Sequence, residues 1–157
     1  AQRLQIAWPT HFYKMLKIAN KFFSIAEKME IKRPDLCNKS SGAYGLYSAQ
    51  HGRLIAAVQY HRESALESCS WGIGQVMGYH WKSLGYASLQ AFINAMYKDE
   101  ASQLEAMCRY IKVNNLVNAL KNNDWKAFAL GYNGKAYAKN KYDIKLANAY
   151  KKFAEGS

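Results

Sequence analysis

Residues 65–78 read ALESCSWGIGQVMG, and the rest of the chain is read outward from them. Apolar residues recur at helical spacing up to this point. Then Gly72, Gly74 and Gly78 fall between Trp71, Ile73, Val76 and Met77, and the period stops. The pattern predicts a helix ending near Glu67 followed at once by a tight β-hairpin or irregular ribbon.

On the N-terminal side, the periodicity predicts a helix from about Ser48 to Leu66, with Leu54, Ala57, Val58, His61 and Ala65 on its inner face. Before it, IKRPDLCNKSSGAYG (31–45) gathers Pro34, Asp35, Asn38 and a Ser-Ser-Gly cluster and reads as a long connection. THFYKMLKIANKFFSIAEKME (10–30) predicts an earlier helix with Phe12, Leu16, Ala19, Phe23 and Ala26 on one face, and Thr10 as its N-cap. On the C-terminal side the helical pattern returns. Expected there are a helix over about 88–97 capped by Ser88 and another over 100–113 with Ala101, Leu104, Cys108 and Ile111 in register. A short piece follows at 115–122, then a helix capped by Asp124 through Trp125 and Phe128. The last, over 141–153, carries Tyr142, Leu146, Ala149 and Phe153. The expected fold is mainly α, a helical globule with one small non-helical insertion.

A chain of 157 residues, half of them apolar and 14% aromatic, can bury one core and is expected to form a single domain over 1–157. A start at Ala1 and an end at Gly156-Ser157 read as a piece of a longer protein, with further domains or delivery machinery upstream. No apolar run approaches the roughly 20 residues of a membrane span, and residues 1–30 do not resemble a signal peptide. Cys37, Cys69 and Cys108 lack paired spacing and read as free thiols. His11, His51, His61 and His80 show no metal-binding spacing, so neither metal nor cofactor is expected.

The formal charge of +11 favours a polyanionic partner: nucleic acid, an anionic membrane surface, or a bacterial wall with its acidic polymers. From residue 121 onward there are eight Lys, no Arg and three acids. Lysine gives diffuse attraction where arginine would give bidentate readout, so no specific nucleic-acid partner is expected.

Glu67 is the residue that carries chemistry. A carboxyl on the last turn of a helix faces the negative end of the macrodipole, and packing against aromatic surface such as Trp71 disfavours its ionised form. A carboxyl kept protonated in this way can donate to a glycosidic oxygen. Glycines let a ribbon approach a sugar closely, and the Gln75 amide can donate to and accept from hydroxyl and acetamide groups.

ESCSWGIGQVMG resembles the Glu-Ser and Gly-x-x-Gln ribbon of the lysozyme superfamily. ALESCSWGIGQVMGYHWKSLGYASLQAFINAM, EASQLEAMCRYI and DWKAFALGYNGKAYAKNKYDIKLANAY are similar, in that order, to the N-acetylmuramidase domain of phage endolysins and related antibacterial effectors. The resemblance covers roughly residues 46–153, with a looser match at THFYK. It implies a lysozyme-like helical fold and cleavage of the β-1,4 bond between N-acetylmuramic acid and N-acetylglucosamine by a monomer acting on bacterial peptidoglycan, in the wall or periplasm. Carried over, Glu67 becomes the general acid, Ser70, Trp71 and Gln75 the ribbon lining the cleft, and Tyr132 and Asn133 a Tyr-Asn pair facing the acid, with Tyr137 flanking the groove. Relatives often carry a further Glu-Ser helix ahead of the THFYK region, and Trp8-Pro9 stands where they tend to have a charged pair. Glu67 is preferred because only it has the ribbon immediately behind it.

A second carboxyl is harder to assign. Glu63 lies one turn before Glu67 but sits in the surface-like context HRES. Asp99, Glu100, Asp124 and Asp143 come from other segments, and spacing does not rank them. A lytic transglycosylase, in which the muramic 6-hydroxyl attacks to leave a 1,6-anhydro end, would need no water nucleophile. The reading of a different class is a basic, tyrosine-rich module that binds wall or nucleic acid without catalysis.

Overall fold

The computed structural model describes residues 5–19, 25–42 and 44–156. It divides within one helix into two compact units, residues 1–107 and 108–157.

The first unit holds a three-stranded antiparallel sheet in the order β1 (Gln5–Ala7), β2 (Cys69–Trp71) and β3 (Val76–Met77). Ile6 pairs with Ser70, and Ser70 with Met77. The expected ribbon is therefore the β2–β3 hairpin, and β1 is an edge strand that its three residues did not announce. Around the sheet lie α1 (Pro9–Ala19), α2 (Ile25–Lys32), α3 (Gln50–Val58), α4 (Arg62–Glu67) and α5 (Leu89–Lys98), with the first part of α6 (Glu100–Val113). Helix α1 packs on α2 and α4, and α3 on α4 and β1. Phe12 and Leu16 of α1 are fully buried, each contributing about 1.5–3 kcal/mol of apolar transfer free energy.

Three local expectations change. Helix α1 begins at Pro9, so Thr10 is not a cap: proline at the first helical position presets φ and has no N–H to leave unpaired. Of the predicted inner face, Phe12, Leu16 and Ala26 are buried and Ala19 is exposed, while Phe23 lies outside the described residues. The single helix expected over 48–66 is a 3₁₀ turn (Tyr47–Ala49) followed by α3 and α4. His61 has extended backbone and caps α4 by accepting from the Ser64 N–H, which starts a new helix where the apolar period alone would run on. In α6 the buried positions are Gln103, Ala106 and Ile111, and Ala101, Leu104 and Cys108 are exposed. Gln103 takes the inner face because its amide accepts from the Ile73 N–H and donates to the Met96 carbonyl.

The second unit comprises the end of α6, α7 (Val117–Lys121), α8 (Trp125–Asn133), a 3₁₀ segment (Lys135–Asn140) and α9 (Tyr142–Glu155). Helix α8 packs on α7 and α9. As expected, Asp124 caps α8 by accepting from the Ala127 N–H, and Ser88 caps α5 through the Ala91 N–H. Phe128 and Ala129 are buried, whereas Phe153 of α9 is 74% exposed. No helix among the described residues is long and apolar enough to cross a membrane.

Candidate active site

Helix α4 is only six residues long, and its C-terminal carbonyls must find partners outside the helical ladder. The following residues supply them. The Ser68 N–H donates to the Ser64 carbonyl at 3.0 Å, Ser68 Oγ to the Ala65 carbonyl at 2.8 Å, and the Trp71 indole N–H to the Leu66 carbonyl at 3.1 Å. The Ser68 carbonyl in turn accepts from the Trp8 N–H. Gly78 closes the arrangement from the other side. A methyl group there would stand 2.9 Å from the Glu67 Cα and nearer still to the Leu66 carbonyl oxygen, so only glycine permits this approach. The backbone of Glu67 is thereby clamped between the ends of the hairpin.

The Glu67 side chain, half-buried, opens into a pocket of about 420 Å³. Met15, Ile18 and Ala19 of α1 line it, with His61, Glu63 and Ser64 of α4 and Tyr79 after the hairpin. Among the described residues no hydrogen bond or ion pair holds the Glu67 carboxylate. Burial pushes its pKa up, and the negative charge of Glu63 adds to the rise. Sequence reasoning placed Glu63 on a solvated face. The structure keeps it exposed but makes it part of the same pocket wall.

Tyr79 was not foreseen. Its ring stacks on His11 with centroids 5.9 Å apart and meets His80 at 4.2 Å. Burial is the main cause that lowers the pKa of both imidazoles, with Lys14 and His80 adding to it at His11. Both are therefore neutral near pH 7, and a neutral stack holds the tyrosine against the pocket. Only adjacency to the hairpin could have flagged it in sequence.

The ribbon residues hold the hairpin together. Ser70 and Trp71 are each 2% exposed. Trp71 faces inward, its ring edge-on to Tyr97, and anchors Leu66 through its indole N–H. Ser70 Oγ accepts from the Trp8 indole N–H and donates to Gln75 Oε1 at 2.8 Å. Gln75 has a left-handed backbone, φ 50°, and its Nε2 donates to the Gly72 carbonyl at 3.0 Å. Both ends of this amide tie the turn together. Burial and hydrogen bonding thus tie Ser70, Trp71 and Gln75 into the ribbon.

In the second unit, Tyr132 is half-buried, stacked on Phe128 at 5.5 Å and edge-on to Tyr110 at 5.1 Å. Burial raises its hydroxyl pKa. Asn133 is the exposed last residue of α8, and Gly134 ends the helix at φ 82°. Tyr137 lies half-exposed in the 3₁₀ segment that follows.

The family model for N-acetylmuramidase matches residues 2–154, nearly the whole chain. The chain belongs to the N-acetylmuramidase family. Among solved structures, this member is similar to one described as the crystal structure of Burkholderia AP3 phage endolysin, with a TM-score of 0.85 and 38% identity. That match covers 97% of this chain and 57% of the endolysin, so the chain spans little more than half the length of the protein it resembles. No curated protein matched it. The likeness extends to the mainly helical, lysozyme-like fold with its small antiparallel sheet. In this muramidase-family domain, no group of three or more His, Cys, Asp or Glu side chains among the described residues could hold a metal ion. Cys37, Cys69 and Cys108 are free, and burial pushes the Cys37 and Cys69 thiols up to about 12, which leaves them inert.

Proposed function

We propose that the chain is a peptidoglycan hydrolase that cleaves the β-1,4 bond between N-acetylmuramic acid and N-acetylglucosamine, with Glu67 as general acid. The observation that carries this reading is the state of Glu67: a carboxyl at a helix end, in a pocket, with a raised pKa and a backbone held by Gly78 and Trp71. A protonated carboxyl there donates its proton to the glycosidic oxygen as the bond breaks and charge develops on the sugar ring. Family membership and the likeness to a phage endolysin support the substrate class. Peptidoglycan is then the partner, and the wall or periplasm of a bacterium is where the protein acts. Neither cofactor nor metal takes part, and a monomer suffices. For Tyr132, Asn133 and Tyr137, and for Ser70, Trp71 and Gln75, a role in binding the glycan is supported by the family resemblance alone.

One observation favours a second reading. The other carboxyl in the pocket, Glu63, stands on the same helix as Glu67, one turn away, whereas hydrolysis assisted by a second carboxyl calls for groups flanking the bond from opposite sides. A lytic transglycosylase needs no such partner.

The test is mass spectrometry of fragments released from purified peptidoglycan by the full-length protein and its Glu67→Gln variant. Reducing muramic ends are expected from the wild type and no fragments from the variant. Anhydro ends would establish the transglycosylase. Fragments that persist with Glu67→Gln would move the acid to another residue.

A further inference from the structure

We propose that the second unit carries a glycan-binding site of its own, built on Trp125, Asn123 and Asp143, which takes a neutral N-acetylated sugar ring of the wall polymer. The substrate class rests on the function proposed above, and the binding site does not depend on Glu67 being the acid.

A pocket of about 360 Å³ opens between the start of α8 and the first turns of α9, within the range of roughly 300–1,000 Å³ of small-molecule sites. Ile144 and Ala147 of α9 give it an apolar floor, and Trp125 provides an aromatic wall. Four polar groups on the same walls have no hydrogen-bond or ion-pair partner among the described residues: the Trp125 indole N–H, the Asn123 amide, the Lys126 ammonium and the Asp143 carboxylate. Asp124, by contrast, is engaged in capping α8. Asn123 is held in place by a left-handed backbone, φ 54°, at the turn before the cap.

These groups match one ligand chemistry. A pyranose has an apolar C–H face that packs on an aromatic ring, and equatorial hydroxyl and acetamide groups at its rim. Such a rim needs planar acceptors and donors, and carboxylate, amide and indole N–H supply both. Charge selects the ligand further. The region from residue 121 holds eight Lys against three acids, which disfavours a cationic ligand such as a stem-peptide amine. Asp143 and Lys126 line the pocket with opposite charges, so an anionic ligand gains no net attraction there either. A neutral sugar satisfies both conditions.

The experiment uses the full-length protein in a Glu67→Gln background, so that the probe is not cleaved. Titration calorimetry with soluble N-acetylglucosamine oligomers and co-sedimentation with purified peptidoglycan are compared for Trp125→Ala and Asp143→Asn, with circular dichroism melting to verify folding. Asp143→Asn keeps the side chain's shape, so its result stands even where Trp125→Ala fails to fold. The expected result is at least a tenfold loss of oligomer affinity in Asp143→Asn and reduced co-sedimentation, with competition by the oligomers and none by lysine-containing peptides. Unchanged affinity and co-sedimentation in folded Asp143→Asn would overturn the site, as would competition by the peptide alone. Because the readout is binding, it separates from the function proposed above: Asp143-dependent binding alongside a protein with Glu67 intact that releases no fragments would sink the hydrolase and leave the site.

Discussion

The Cα of Gly78 lies against the backbone of Glu67, so close that a methyl group at 78 would stand 2.9 Å from the Glu67 Cα. The contact joins the far end of the hairpin to the helix turn bearing the proposed acid. Gly78→Ala must push these elements apart. Overpacking of this kind costs about 1–3 kcal/mol, and lysis should fall more than stability alone explains because Glu67 moves with its backbone. Thermal melting and turbidity clearing on the same preparation measure both; a variant that is stable and fully active would show that the clamp is unimportant.

Trp71 tests the difference between a sugar platform and a support. Trp71→Phe keeps most of the packing but removes the indole N–H from the buried Leu66 carbonyl, which costs about 1–3 kcal/mol for an acceptor left without a partner. The expected outcome is a lower melting temperature with little change in KM on soluble oligosaccharide. A large rise in KM at unchanged stability would return Trp71 to the cleft.

The raised pKa of Glu67 has a sign for stability. Its proton is held more tightly in the folded than in the unfolded chain, so the stabilising contribution is present below the unfolded value of ~4.3 and is lost as pH rises through the folded one. Glu67→Gln, which never ionises, should therefore melt higher than the wild type at pH 7. The gap should close toward pH 4. Melting curves across that range check it, and equal melting temperatures at pH 7 would count against a strained carboxylate.

For activity, Glu63 matters through its charge. Removing it in Glu63→Gln lets Glu67 ionise more readily, so the alkaline limb of the lysis profile should shift to lower pH with the acidic maximum largely kept. A loss of activity at every pH would instead make Glu63 part of the chemistry.

The +11 charge predicts salt-sensitive attack on walls. Screening shortens from about 10 Å at 0.1 M to about 3 Å at 1 M salt, so lysis of intact sacculi should fall across that range. Cleavage of short neutral oligomers should fall far less, and equal sensitivity of the two substrates would refute the charge role.

The sequence by itself determined the features that depend on neighbours a few residues apart. The helix-ending Glu67, the glycine-broken hairpin, the Ser88 and Asp124 caps and the helical character of the remainder were all legible, because a cap or an apolar period is satisfied locally. Tertiary structure decided what depends on distant partners. Trp8 and Ser70, 62 residues apart in the chain, share a hydrogen bond, and this edge of the sheet has no local signal. Gln103 displaced Leu104 from the inner face of α6 because two backbone groups elsewhere needed its amide. Trp71 and Gln75 read in sequence as part of a ribbon lining a cleft. Their hydrogen bonds were set by the fold, because carbonyls at a short helix end and in a tight turn must find donors, and these side chains were within reach. Tyr79 entered the pocket because the chain after the hairpin packs between His11 and His80, a position that only the folded chain defines.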